Sequence, residues 1–365
     1  MKVIKRNLGE KIEKITIIPI SDVHIGDKTT NLKAFKEVIE RIKNEPNTYT
    51  ILNGDLCNIA LKNSKSDVYS DELTPMEQVL QIIKFIEPIR SKVLVLSNGN
   101  HEDRITRDTS IDVLYLVAKQ LHLEDVYSPS WWYLYLTFGK TNKNRPAMFT
   151  ISGYHGSGSS QTSGAKLNRV KKMGQVVLAD IYLMSHVHEP IQSKGVIFIP
   201  DYQHKSIVKK EMYYCISNAF VEYEGSYAEK MGLIPSNNGI TEIELDGTKK
   251  LIKMIMWVLM KIEQLKKEMI QVYGNKCWMN ELWLPNKKNI LTFHHILEKR
   301  NGGKAIWENG ALISLYSHEY LNYLDREYHK LYDELNWLFY ELNRTYQPPT
   351  EDYYDEVKLV LRRVK

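Results

Sequence analysis

The chain has 365 residues, of which 43% are apolar and 25% charged, and its formal net charge is +5 at pH 7. This is the ordinary composition of a soluble globular protein, and the length predicts two domains rather than one core. The most apolar stretch, 251–260, is too short to span a bilayer, which excludes a membrane-spanning protein. The small positive charge permits a nucleic-acid partner without requiring one.

Cysteine content and the N-terminus bear on the compartment. Cys57, Cys215 and Cys277 lie far apart and form no disulfide framework, which suits a reducing environment. The first 14 residues are charged and include no apolar segment that could act as a signal peptide. We therefore expect a cytoplasmic protein with no membrane partner.

Residues 15 to about 200 alternate short apolar runs with helical patterns, which predicts βα units around a largely covered sheet. Helices are predicted at Leu32–Ile42, Thr74–Ile89 and Ser110–Leu121, the second opening with an N-cap threonine, a proline and a glutamate. From residue 196 to 245 the pattern becomes more strand-like. The predicted strands before that point are Ile15–Ile20, Tyr49–Leu52, Val93–Leu96, Met148–Ile151 and Ile181–Met184.

Eight polar residues end these runs or follow them closely. Strands that lie side by side bring their carboxyl ends to one edge, so these residues can meet in one crevice. Their oxygens and imidazoles are ligands that Mn²⁺, Fe and Zn²⁺ share, and they suffice for two divalent metals. The residues are Asp22, His24, Asp55, Asn100, His101, His155, His186 and His188.

The motifs D-x-H (22–24), G-D (54–55), G-N-H-E (99–102), H-G (155–156) and H-x-H (186–188) together resemble the calcineurin-like metallophosphoesterases. The resemblance covers about residues 12–248 and is closest to the bacteriophage-encoded branch. It implies an α/β fold, an α+β sandwich of mixed sheets flanked by helices. Ser185 is a departure, because the family usually has glycine before the H-x-H pair.

The resemblance also assigns roles. Asp22, His24, Asp55 and His188 would hold one metal, and Asp55, Asn100, His155 and His186 the second, with Asp55 bridging. His101 would contact the phosphate and protonate the leaving oxygen, oriented by Asp103 or Glu102. We expect Mn²⁺ foremost, with Fe, Zn²⁺ or Ni²⁺ as alternatives.

A loop rich in glycine and serine, residues 156–164, follows His155, with Lys166 and Arg169 close behind it. Its hydroxyls could contact a substrate phosphate, or the loop could be a plain surface connection. Four more residues are candidates for the mouth of the same site: Asn58, Asp67, Tyr69 and Arg104.

Residues 249–272 are predicted to form a connector helix between a domain at 1–248 and one at 273–365, because apolar residues recur at helical spacing. Apolar residues from Tyr320 to Leu342 recur in the same way, which predicts a helix whose stripe is core or a dimer seam, so a homo-oligomer through the C-terminal helices is one expectation.

A second pattern, Leu291-Thr292-Phe293-His294-His295, then Gly302-Gly303, Asn309 and His318, resembles the HNH nuclease motif over about residues 273–325. The resemblance implies a smaller, mostly helical domain with a ββα-metal fold. His294 and His318 would bind one Mg²⁺ or Mn²⁺, His295 would be the general base, and Asn309 would fix the loop or assist at the metal. Cys277 stands without the other cysteines of a zinc-binding version, so we expect no structural zinc.

These patterns predict a hydrolase of phosphodiester bonds: a phage or prophage nuclease acting on DNA rather than RNA, with a two-metal site and a second, HNH-type site. The alternative is a small-molecule or cyclic-nucleotide phosphodiesterase or phosphatase whose C-terminal module only binds or oligomerises. A third hypothesis, a non-catalytic DNA-binding or assembly protein, fits the full set of metal ligands less well.

Overall fold

The structure is a computed structural model that describes residues 1–365 except 63–68, 70, 143, 159, 231, 233–234, 236–238, 259–261, 280–290, 299–302, 304–305 and 365. The chain forms two compact units, residues 1–259 and 260–365. Within the described part of the chain, no helix combines the length and apolarity that crossing a membrane requires.

The first unit contains two six-stranded sheets, with strand orders β1-β6-β7-β8-β10-β9 and β12-β11-β2-β3-β4-β5. Side chains from both sheets, such as Ile18, Leu52 and Leu134, belong to one buried cluster, so the sheets pack face to face. The strands are β1 (Lys2–Gly9), β2 (Lys14–Ile20), β3 (Thr48–Asn53), β4 (Val93–Ser97), β5 (Tyr127–Ser128), β6 (Trp132–Phe138), β7 (Ala147–Gly153), β8 (Ile181–Met184), β9 (Ile191–Asp201), β10 (Ser206–Ile216), β11 (Gly239–Asp246) and β12 (Leu251–Val258).

Helices cover the outer faces of this sandwich. Phe35, Val38 and Ile82 pack into the main cluster, and Val170 packs into a smaller cluster on the other sheet. The helices are α1 (Leu32–Asn44), α2 (Pro75–Ile86), α3 (Glu102–Thr109), α4 (Val113–Leu121), α5 (Ser163–Lys172) and α6 (Tyr227–Lys230). The expected mixed sheets flanked by helices are confirmed, as is the capping box formed by Thr74 and Glu77 at the start of α2.

The parallel pairing of β2, β3 and β4, and of β7 and β8, determines where the site lies. In each group the carboxyl ends meet at one edge of the sheet. The β-branched and leucine-rich strands are buried on both faces, as is typical of covered parallel sheets. Polar residues that follow these strands are therefore collected at one rim of the sandwich.

The predicted connector helix over 249–272 is wrong in its first part, because residues 251–258 form strand β12. β12 pairs antiparallel with β11 over its full length. The turn between them is held by Asp246, whose Oδ1 accepts hydrogen bonds from the backbone N–H groups of Thr248 and Lys249, at 2.9 and 3.1 Å. The first unit therefore extends to residue 259 rather than 248.

The second unit contains α7 (Ile262–Tyr273), β13 (Leu291–His295), β14 (Gly310–Ser314), α8 (Leu315–Glu327), α9 (His329–Thr345) and α10 (Glu351–Leu361). β13 and β14 pair antiparallel and lead directly into α8, so the chain has a ββα order here. Leu324, Leu331 and Leu335 of the predicted stripe are buried in the core of this unit. The stripe is thus core, and Tyr328 divides the predicted long helix into α8 and α9.

Candidate metal centre

The structure brings together the polar residues that follow the strands of the first unit. Among the residues that the structure describes, three groups of side chains have potential ligand atoms within 4.8 Å of one another. They are Asp22, His24 and His188; His24, Asp55 and His101; and Asp55, His155 and His186. Asp55 shares one group with His24 and another with His155 and His186, so its carboxylate lies between the two halves of the cluster.

Five of these residues have left-handed backbone conformations, with φ between 48° and 72°. Residues other than glycine rarely adopt this region, because it strains the backbone. Strained backbone conformations of this kind are concentrated at functional sites. Backbone hydrogen bonds impose it: Asp22 N donates to Gly54 O at 3.1 Å, and His24 N donates to Asp55 O at 3.1 Å. The five positions are Asp22, His24, Asp55, His186 and His188.

The first half of the cluster is built on Asp22. Its Oδ1 lies 3.2 Å from His188 Nε2, and the Nε2 atoms of His24 and His188 are 3.3 Å apart. Burial raises the pKa of Asp22, but His155 and His188 hold it below its usual value. Asp22 is therefore an ionised, buried carboxylate among imidazoles.

The second half is built on Asp55 and His155. Asp55 Oδ2 lies 3.0 Å from His155 Nε2, while Asp55 Oδ1 accepts a hydrogen bond from His101 N at 2.8 Å. His155 Nδ1 faces the carbonyl of Asn53 at 2.7 Å, which fixes the proton on Nδ1 and leaves Nε2 directed at the carboxylate. Asn100 Oδ1 is buried and has no hydrogen-bond partner among the described residues.

These features fit divalent cations. A buried amide oxygen without a donor and imidazole nitrogens that converge on carboxylates are the atoms that a hard or borderline metal requires. Burial lowers the pKa of His155, but Asp55 and Asp22 outweigh it and raise that pKa to about 10. The two anions thus favour positive charge at the place where a cation would lie.

His101 is not oriented by Asp103 or Glu102, so that expectation is wrong. His101 Nδ1 donates to the carbonyl of Asn58, and Arg104 Nη2 donates to His101 Nε2 at 2.9 Å. Burial lowers the pKa of His101. The imidazole is consequently neutral, with Nε2 free of a proton and facing the cluster beside Asp55.

Glu102 has a different role, which sequence reasoning missed. Its carboxylate accepts hydrogen bonds from the backbone N–H groups of Asp55 and Gly99, both at 3.0 Å, and of Cys57 at 2.9 Å. Burial and the nearby Asp55 raise the pKa of Glu102 to about 7. Glu102 therefore ties the loop that carries Asp55 to the loop that carries Asn100.

A series of buried, hydrogen-bonded side chains ends at the carboxylate of Asp22 and holds it in place. Asn53 donates to Ser185 Oγ at 2.6 Å, Ser185 Oγ lies 2.8 Å from Ser217 Oγ, and Ser217 Oγ lies 2.7 Å from Ser21 Oγ. Ser21 Oγ in turn donates to Asp22 Oδ2 at 2.7 Å. Ser185, the departure from the family pattern, thus contributes a hydroxyl that links the two sheets beneath the cluster.

The candidate mouth residues have diverse surroundings. Lys166 is buried and donates to Glu189 at 2.7 Å, and Arg169 donates to Ser160 Oγ at 2.7 Å and to the carbonyl of Ser157 at 2.6 Å. The glycine- and serine-rich loop is thus anchored by Arg169. Of the other candidates, Asn58 is buried, Tyr69 is exposed, Arg104 contacts His101, and Asp67 lies outside the described residues.

The second unit has a smaller cluster. His294 Nδ1 lies 3.4 Å from His318 Nε2, and His294 Nε2 lies 2.9 Å from Asn336 Oδ1 on α9. Asn336, which sequence reasoning missed, thus holds a proton on Nε2 of His294. Burial lowers the pKa of His294 to about 4, so the ring is neutral.

The other two candidates of this unit lie differently. His295 follows His294 on strand β13, where alternate side chains leave opposite faces, and its ring packs against Phe293 with centroids 5.0 Å apart. The amide of Asn309 accepts from Leu297 N at 2.6 Å and donates to Leu297 O at 2.9 Å. The side chain of Asn309 therefore joins the segment after β13 to the segment before β14.

A known family shares the sequence pattern of the first unit. A profile described as Calcineurin-like phosphoesterase matches residues 15–201. No curated protein sequence matches the chain significantly.

Among solved structures, the chain is similar to a conserved uncharacterised protein from Streptococcus pneumoniae TIGR4, described as a predicted phosphoesterase, with 16% identity, a TM-score of 0.29 and coverage of 67% of this chain and 99% of that one. It is also similar to Vps29 complexed with zinc from Entamoeba histolytica, with 10% identity, a TM-score of 0.27 and the same two coverages, 67% and 99%. A hypothetical protein from Thermus thermophilus has 11% identity, a TM-score of 0.28 and coverages of 67% and 99%.

Proposed function

The chain belongs to the calcineurin-like phosphoesterases, and from this premise we propose that it is a metal-dependent phosphodiesterase that cleaves DNA. The family supports hydrolysis of phosphoester bonds with divalent metals. The observation that carries the proposal is the convergence of the buried carboxylates of Asp22 and Asp55 with five imidazoles. We expect Mn²⁺ in the two positions, with Fe, Zn²⁺ or Ni²⁺ as alternatives, in a cytoplasmic protein of phage or prophage origin.

In this proposal the residues divide into two ligand sets. Asp22, His24 and His188 would hold one cation and Asn100, His155 and His186 the other, and Asp55 would contribute to both sets. Two such cations supply charge stabilisation for the phosphate and activate water near neutral pH. Burial of Asp22, Asp55 and His155 excludes competing water and strengthens these interactions.

His101 is the proposed proton donor to the leaving oxygen. Its Nδ1 is held by Asn58, so only Nε2 can exchange a proton with substrate. In this structure Arg104 donates to that Nε2. For His101 to carry a second proton, Arg104 must turn away from Nε2, and a substrate phosphate is the anion that a guanidinium at this position would bind.

The second unit supports DNA as the substrate. The support for an HNH-type site with one Mg²⁺ or Mn²⁺ is the ββα order and the approach of His294 Nδ1 to His318 Nε2 at 3.4 Å. We propose that this unit contacts DNA. The role of His295 as general base stays a prediction from the sequence, because its side chain leaves the opposite face of β13 from His294. A homo-oligomer through the C-terminal helices remains a further prediction.

The test compares Asp55→Asn with the wild-type full chain in Mn²⁺, on single-stranded DNA, duplex DNA, a cyclic dinucleotide and bis(p-nitrophenyl) phosphate. Removing the shared carboxylate charge is expected to reduce diester hydrolysis by more than about 100-fold, beyond the effect of supporting residues. Asp125→Asn, at an exposed ion pair with Arg6, is the matched control and should retain activity. Wild-type rates for Asp55→Asn on every substrate would contradict the two-metal proposal.

The same assays with His295→Ala separate the two units. If duplex cleavage falls while bis(p-nitrophenyl) phosphate hydrolysis stays unchanged, the second unit is a nuclease. If DNA cleavage is unchanged, the second unit only binds. If the wild-type protein hydrolyses the cyclic dinucleotide and leaves DNA intact, the alternative function, a cyclic-nucleotide phosphodiesterase, is correct.

A further inference from the structure

The first unit has a cavity of about 520 Å³. It is lined by Trp131, Tyr154, Ser160, Asn168, Arg169 and Lys172, together with three apolar side chains. Tyr154 immediately precedes the candidate ligand His155. Trp131 immediately precedes β6, whose first residue pairs with the last residue of β7. The cavity therefore lies at the same sheet edge as the metal residues.

One wall of the cavity is a rigid aromatic surface. The rings of Trp131 and Tyr154 are stacked, with centroids 4.8 Å apart and an interplanar angle of 10°. Trp131 Nε1 donates to Ser152 Oγ at 2.8 Å, which fixes the indole in its plane. A fixed aromatic surface beside a hydrolytic site suits a flat aromatic ligand, and stacking on nucleobases is sequence-tolerant.

Another part of the wall is cationic. Arg169 and Lys172 stand three residues apart on α5, so they lie on one face of that helix. The guanidinium of Arg169 is oriented by Ser160 Oγ and by the carbonyl of Ser157. None of the described residues that line the cavity is a carboxylate. This wall suits an anion with several oxygens, such as a phosphate.

We propose that this cavity is a subsite for one nucleotide of the substrate, next to the phosphate that is cleaved. The base stacks on the pair formed by Trp131 and Tyr154, and the far phosphate of that nucleotide contacts Arg169 and Lys172. The inference rests on the proposed function and deepens it, because a simple phosphate ester leaves this cavity empty. The nucleotide belongs either to a DNA strand or to a free dinucleotide.

The test uses two diesters with the same leaving group, thymidine 5′-(p-nitrophenyl phosphate) and methyl p-nitrophenyl phosphate, with the full chain in Mn²⁺. Trp131→Ala is expected to lower the preference for the nucleoside diester, the ratio of the two kcat/KM values, by about tenfold or more. Trp131→Phe, which keeps an aromatic ring, should restore most of it. Trp337→Ala, at an exposed tryptophan of the second unit, is the matched control and should keep the wild-type ratio.

An unchanged ratio in Trp131→Ala would overturn the subsite. If the wild-type protein hydrolyses neither diester, the proposed function fails, and the subsite is tested by itself through fluorescence anisotropy of labelled oligothymidine in the absence of metal. Trp131→Ala and Lys172→Ala must then bind at least severalfold more weakly than wild type, and equal binding overturns the proposal. If an octanucleotide binds more tightly than pdTpdT, the nucleotide in the cavity belongs to a DNA strand. If the two bind equally, it belongs to a free dinucleotide.

Discussion

Glu102 shows how one buried side chain can organise the two loops of a candidate metal site through hydrogen bonds to their backbone. Three backbone N–H groups on two loops donate to it, so a single carboxylate fixes both loops. The motif G-N-H-E predicted Asn100 and His101 as functional residues, because their side chains resemble known ligands and acids. It did not predict the role of Glu102, since bonds to backbone N–H groups leave no pattern in side-chain chemistry. Asn53 and Asn336 were missed because their partners, Ser185 and His294, are distant in sequence and come close only in the fold.

We expect Glu102→Gln to destabilise the protein and weaken metal binding. The Gln amide can accept at only one end, so at least one of the three buried N–H groups loses its acceptor, which costs about 1–3 kcal/mol. Metal affinity should fall about 10–100-fold, the usual effect of a residue that supports ligands. Urea unfolding and calorimetric titration with Mn²⁺ measure the two effects. Glu87→Gln, at an exposed position, is the control, and equal stability of the two variants would contradict the role given to Glu102.

At the scale of elements, the sequence predicted those strands and helices in which the spacing of apolar residues was unambiguous. The β-branched runs at β2, β4 and β8 and the capped helix α2 have one clear pattern each. Residues 251–258 are apolar at nearly every position, so they fit a helix and a strand equally well. Pairing with β11 decides between them, and that contact depends on the long-range return of the chain rather than on local spacing.

Asp180 links three strands of one sheet and gives a pH-dependent prediction. Asp180 lies just before β8. It accepts hydrogen bonds from Thr150 N on β7, at 2.9 Å, and from Lys210 on β10. Burial raises the pKa of Asp180, but Lys210 and Thr150 lower it below its usual value of 3.8. The pKa is thus lower in the folded state than in the unfolded state. The stabilisation is therefore present above about pH 4 and is lost as the pH falls through the folded-state pKa.

Asp180→Asn should accordingly lower the free energy of unfolding at pH 7 by about 2 kcal/mol, because it leaves the partly buried Lys210 without its anion. The difference from wild type should shrink at pH 3. Urea unfolding at both values measures it. Asp125→Asn, at the exposed pair with Arg6, should change stability by less than about 1 kcal/mol. A penalty for Asp180→Asn that is the same at pH 3 would show that packing, rather than charge, is responsible.

At the scale of the whole chain, each unit has its own apolar core. The buried clusters of the first unit draw on residues between 4 and 245, and that of the second on residues between 265 and 360. Composition and length predicted two domains, but the boundary was placed too early because β12 was read as part of a helix. A compact unit with its own core can in principle fold alone.

We therefore expect a protein that ends at residue 259 to fold and to keep its metal-dependent hydrolysis of bis(p-nitrophenyl) phosphate within a few-fold of the full chain. Its circular dichroism and a single cooperative unfolding transition test the fold, and its Mn²⁺-dependent rate tests the site. A protein that ends at residue 248, as the sequence alone suggested, lacks β12 and leaves β11 at an open edge, so it should aggregate or unfold. Full activity of that shorter chain would show that β12 is dispensable.

The five candidate ligands with left-handed backbone conformations also bear on how such a protein evolves. Each of the five disfavours folding by about 1–2 kcal/mol relative to an ordinary conformation, and glycine would relieve most of this strain. At these positions, selection for catalysis therefore favours the present side chains, whereas selection for stability favours glycine. Once hydrolysis is no longer needed, substitution of these residues by glycine becomes favourable. The rim then keeps its backbone conformation while the candidate ligands are lost. A descendant of this kind would be more stable and catalytically inactive, and its rim would be free to bind other molecules.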